Sequence, residues 1–128
     1  MKYLTPQDIL VIHAQLIDET GGSHSVRDVE LLISLTERPK GKFSDKILYK
    51  DVFKKAAVYF ESLVRHHVFI DGNKRIAVTT AARFLFLNGY ELYATNKEVE
   101  KFVIDVVIKK HSIKTITAWL KKHSKKII

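Results

Sequence analysis

The sequence predicts an all-α fold, a helical bundle around one central apolar helix with a short loop serving as a flap. Three observations carry that prediction. Apolar residues recur three and four apart between breakers, the spacing of a helix face. Several of these stretches open on a side chain suited to capping a first turn. One run, Ile76 to Leu87, is apolar nearly all round, which marks a helix enclosed by its neighbours. With 128 residues and 46% hydrophobic side chains, residues 1–128 suffice for a single domain with its own core and no covalent staples.

Thr5, with Pro6 at the first helical position and Asp8 beyond it, opens a helix whose Ile9, Ile12, His13, Leu16 and Ile17 form one stripe. Gly21 and Gly22 stop it. Ser25 with Asp28 is the next capping signal, leading a short helix through Val29, Leu31, Leu32 and Leu35 until Pro39 and Gly41 break the pattern. Arg38 to Lys46, with Pro, Gly, Ser and mixed charge, reads as an exposed loop and a candidate flap. A third helix is expected from about Tyr49 to Arg65, and His67 falls on the same stripe as Phe60 and Leu63. The central run ends at Asn88–Gly89, and Tyr90 to Ala94 reads as a connector. Thr95 with Glu98 caps a fifth helix, and Ser112 starts a sixth that is expected to fray into lysines.

The absence of cysteine excludes a disulfide framework and thiolate metal sites, and fits a cytoplasmic location. No apolar run reaches the roughly 18 residues of a membrane span, so no membrane association is expected. Residues 97–128 hold nine lysines against Glu98, Glu100 and Asp105, a net +6 of the chain's +8. Because these cations are all lysine, with no arginine and only Trp119 as an aromatic beside the final cluster, they read as a solvated face or a site for an acidic partner, and nucleic acid is not the expected ligand.

The chemistry is concentrated in residues 66 to 75, HHVFIDGNKR, between the third and central helices. A helix N-terminus presents unpaired amides and the positive end of its dipole, so it suits a phosphate. Gly72 permits close approach of backbone to ligand, and Asn73 is a good N-cap. Lys74 and Arg75 add charge, the arginine with bidentate geometry. Asp71 is a hard oxygen ligand suited to Mg²⁺ beside a phosphate, and His67 is placed to take a proton from a hydroxyl. A base, a metal ligand and an anion cradle are what phosphoryl or nucleotidyl transfer requires. Each piece also has a plainer reading: His67 as a hydrogen-bonded core histidine, Asp71 and Asn73 as caps, Lys74 and Arg75 as surface charge. His66 reads as a solvent-facing neighbour, and Arg83 as half of a buried ion pair. Histidines 13, 24, 111 and 123 have no metal-ligand spacing.

The stretch HVFIDGNKR resembles the signature of the Fic superfamily, H-x-F-x-[D/E]-G-N-x-R, and its Lys74 matches the death-on-curing (Doc) branch. The segments VELLISLTERPKGKF and GNKRIAVTTAARFLFLNGYEL are similar to the same branch, so the resemblance covers roughly residues 4 to 120. It implies an all-α fold with ATP and Mg²⁺ in the site. It makes His67 the base, Phe69 the apolar anchor of the loop and Asp71 the metal ligand. Gly72, Asn73 and Lys74 become the anion hole, and Arg75 a phosphate ligand.

AMP-transferring relatives continue G-N-G-R-x-x-R, whereas here Lys74 replaces the second glycine and Val78 the second arginine. Doc-type proteins are toxins that pass the γ-phosphate to a hydroxyl of elongation factor Tu and block translation. The chain has no [S/T]-x-x-x-E-[G/N] self-inhibitory segment, so the resemblance implies an antitoxin acting in trans. Three readings stand: a Doc-like kinase toxin, a Fic-like AMP transferase, and a non-enzymatic basic module.

Overall fold

A computed structural model describes residues 1–127. Six helices make up most of it: α1 (Pro6–Thr20), α2 (Val29–Glu37), α3 (Val52–His66), α4 (Asn73–Leu87), α5 (Asn96–Lys109) and α6 (Ile113–Lys122). Four short strands join them: β1 (Lys42–Phe43), β2 (Lys46–Ile47), β3 (Tyr90–Leu92) and β4 (Ser124–Lys126). The all-α class therefore holds, with two small antiparallel ribbons attached. No helix among the described residues is long and apolar enough to cross a membrane.

Local chemistry sets most boundaries. Thr5 Oγ1 accepts the Asp8 N–H at 3.1 Å while the Asp8 carboxylate accepts the Thr5 N–H at 2.8 Å, a reciprocal box that starts α1. Thr95 and Glu98 repeat it at α5, and Ser112 caps α6. The signal at Ser25 is displaced: Asp28 caps α2 by accepting the Leu31 N–H at 2.9 Å. The reason is tertiary. Ser25 to Arg27 stay extended because Val26 bridges to Phe69, Ser25 O accepts the Ile70 N–H, and the Arg27 N–H reaches Val68 O. α3 starts at Val52 behind an Asp51 cap rather than at Tyr49.

The core forms where α3 and α4 face each other. Ala56, Ala57, Ala77 and Ala81 are fully buried, small residues that let the two helices approach, and Tyr59, Phe60 and Phe84 fill the space around them. Of the pair, α3 is the more enclosed, burying even Lys55, whose Nζ donates to Pro39 O at 3.0 Å. α4 keeps an open edge: Phe86 is 52% exposed, and Arg83 lies exposed with its guanidinium 5.8 Å from the Phe86 ring centre, not in the buried ion pair expected of it.

The flap is more ordered than a loop. After a 3-10 turn at Arg38–Lys40, β1 and β2 pair with Lys42 opposite Ile47 and Phe43 opposite Lys46. Ser44 (φ +49°) and Asp45 (φ +65°) form the two-residue turn whose left-handed backbone suits a right-twisted hairpin. Arg38 donates to Glu61 Oε1 and Ser62 Oγ, both at 2.8 Å, fixing the hairpin's root to α3. At the other end of the chain the expected fraying does not occur. β4 pairs with β3, Tyr90 opposite Lys126 and Leu92 opposite Ser124, and so converts the connector after α4 into a strand.

Candidate active site

The loop from α3 to α4 is shaped by two left-handed residues. His67, at φ +46° and ψ +52°, terminates α3, and Gly72, at φ +80°, starts α4. Gly72 has no side chain with which to cap, so no side chain closes the first turn of α4. Asn73, expected as the N-cap, is instead the first helical residue, and its amide reaches backward. Oδ1 accepts the Phe69 N–H at 3.1 Å and Nδ2 donates to Phe69 O at 2.8 Å. This exchange ties the loop into a closed turn and leaves the first amides of α4, which have no intrahelical acceptors, at a cavity.

That cavity, about 420 Å³, is lined by His67, Asp71, Gly72, Asn73, Lys74 and Arg75, with Val64, Ile70 and Val107 as apolar wall. Gly72 and the five polar residues singled out in the sequence thus share one concavity. His67 is exposed there. The stripe through Phe60 and Leu63 ends at Val64, and the left-handed cap turns the imidazole out of the core, which removes the core-histidine reading. Phe69 is 1% exposed and lies beneath the loop. Asp71 accepts the Ser23 N–H on Oδ2 at 2.7 Å. No cluster of three or more His, Cys, Asp or Glu able to hold a metal exists among the described residues. A lone carboxylate has the donor chemistry that suits Mg²⁺, an ion that is usually held by one or two carboxylates and keeps several waters.

Lys74 and Arg75 also line a second cavity, about 500 Å³, between α1, α4 and α5, where Leu16, Val78, Val99 and Val103 make an apolar wall. The two cations therefore stand on the partition between a polar and an apolar chamber.

Three contributors were not legible in advance. Arg27 donates from Nε to His67 O at 2.8 Å and from Nη2 to His66 O at 3.2 Å, satisfying the last carbonyls of α3. Ser23 holds Asp71, and His13 underlies the loop. Of these, only His13 carried a signal, a polar residue on the apolar stripe of α1.

Residues 3–85 match the model of the Fic/DOC family. The chain is 37% identical over 93 residues to "Toxin Doc" of Mycolicibacterium smegmatis, covering 73% of this chain and 69% of that protein. It is 28% identical over 96 residues to "Protein kinase doc" of Escherichia phage P1, covering 73% of each. A histidine, an acid and a helix start without a side-chain cap, brought to one cavity by this loop, accord with those matches, and the chain belongs to the Fic/DOC family.

Proposed function

We propose that the chain is a Doc-like toxin of a toxin–antitoxin pair that transfers the γ-phosphate of ATP to a protein hydroxyl and so blocks translation, with elongation factor Tu as the substrate. The observation that carries this reading is the uncapped first turn of α4, which opens with Lys74 and Arg75 into the cavity that His67 and Asp71 share. Cations in a first helical turn oppose the helix dipole, and a bound anion relieves that opposition.

In this reading the amides from Gly72 onward, with Lys74 and Arg75, hold the phosphate oxygens, and Asp71 contributes one carboxylate oxygen to Mg²⁺. Bound Mg²⁺ neutralises charge between the phosphates. His67 takes the proton of the substrate hydroxyl as that oxygen attacks the γ-phosphorus, and the bond to ADP breaks. The imidazole later returns the proton to solvent. Val78 faces the apolar chamber at the position where AMP-transferring relatives carry a second arginine, which favours phosphate over AMP as the group moved. The relative named a toxin supports an antitoxin partner. A net charge of +8 suits an acidic segment laid across the flap and the α3–α4 pair, with an association rate that falls as salt rises.

Incubation with elongation factor Tu and ATP, read by intact mass, is expected to add one phosphate. His67→Ala should lower turnover by about 10²-fold or more, the usual contribution of general base catalysis. Addition of AMP would replace this reading by the transferase one, and unchanged turnover in His67→Ala would remove His67 as the base.

A further inference from the structure

We propose that His13 is a positioning residue that clamps the Asp71 turn from below, and that it does so through its ring N–H rather than through its bulk. The proposal rests on the reading of Asp71 as the metal ligand. His13 is 2% exposed on the buried face of α1 between Ile9 and Ile17, a place where an aliphatic side chain would serve packing alone. Instead the imidazole stacks on Phe69, ring centres 3.7 Å apart and planes within 10°, and Nε2 donates to the main-chain carbonyl of Asp71 at 2.8 Å.

The turn lies flat on α1 above it. A Cβ on Gly72 would stand 3.3 Å from Ile17 Cδ1 and 3.7 Å from His13 Nε2, so the backbone sits where no other residue's side chain fits easily. Asp71 is gripped from a second direction by the turn that leaves α1. The Ser23 N–H reaches Oδ2, and Gly22, at φ +112°, lies so close that a Cβ there would fall 3.1 Å from Asp71 Cβ, a tight contact. One helix and its exit turn thus hold Asp71 at its carbonyl and at one carboxylate oxygen while sparing the other. A carboxylate held this way needs no reorganisation when it meets a cation. Partners one step removed from a metal typically account for about 10–100-fold in affinity.

Two substitutions separate the donor from the bulk. His13→Gln carries an amide N–H to about the position of Nε2 and loses the stack; His13→Phe keeps the stack and loses the donor. Calorimetric titration of Mg·ATP into the purified chain is expected to leave His13→Gln near wild type and to weaken His13→Phe by about tenfold. Hydrogen exchange should show the Ser23 amide, which donates to Asp71 Oδ2, opening faster in His13→Phe only. Equal affinities and equal exchange in the two variants, or loss in His13→Gln alone, would overturn the clamp. If the wild-type chain binds no Mg·ATP, the metal reading fails on its own, and exchange at Ser23 decides the clamp. Should His13→Phe not fold, His13→Leu replaces it, and wild-type exchange in that variant overturns the proposal.

Discussion

His67 occupies the left-handed region at φ +46°, where a residue with a Cβ is disfavoured by about 1–2 kcal/mol relative to glycine. The chain keeps a histidine there although Gly72, five residues on, takes the same kind of backbone with glycine. His67→Gly is therefore expected to unfold at higher urea than His67→Ala by about 1 kcal/mol, both variants lacking the imidazole. Coincident midpoints would show that the turn relaxes when the ring is removed. The residue types at the site were legible because they are local: nine consecutive residues supply the histidine, the aspartate, the glycine, the asparagine and the two cations that line the cavity. Their roles were less so. Three-and-four spacing places His67 on the apolar stripe of Phe60 and Leu63, and Asn73 reads as a cap because nothing local reveals that Gly72 adopts φ +80° and releases the asparagine to grip Phe69.

Capped helices were read well because a cap and its first turn lie within four residues of each other; Thr5, Thr95 and Ser112 each start a helix where expected. Short strands were not, since three residues give no alternation to detect. β4 was hidden in a lysine-rich tail whose partner lies more than thirty positions earlier, and the ribbon is held by bonds such as Ile127 N–H to Gly89 O at 3.0 Å. A chain ending at His123 is expected to lose about 1 kcal/mol, a few degrees in Tm, as β3 loses its partner. Its Mg·ATP affinity should be unchanged, because β3 follows the C-terminus of α4 and the cradle opens its N-terminus, about 22 Å away along a helix of 15 residues. Weakened nucleotide binding in that chain would show that the ends of α4 are coupled.

Across the whole molecule, the N-terminal arm is tied to the core by Tyr59, whose hydroxyl accepts the Leu4 N–H at 3.1 Å and donates to Leu4 O at 3.4 Å. Burial pushes the phenol up to about 12, and the bond with Leu4 opposes that only in part. Because folding favours the neutral phenol, its contribution is complete below pH 10, the ordinary value, and disappears as pH rises toward 12. Tyr59→Phe should lose about 1–3 kcal/mol at neutral pH by stranding the Leu4 groups, and the gap to wild type should narrow between pH 10 and 12 in urea titrations. A gap constant with pH would mean that the phenol titrates alike in both states. Such ties between distant segments escape sequence reading altogether, and the site depends on one of them. The hydrogen bond from His13 to Asp71 spans 58 residues. At 5–20 residues per second, synthesis adds the acceptor roughly 3–12 s after the donor. A nascent chain therefore carries a first helix with one face unmatched for that interval, and the moment at which the cavity closes is set by the translation of the chain's second half.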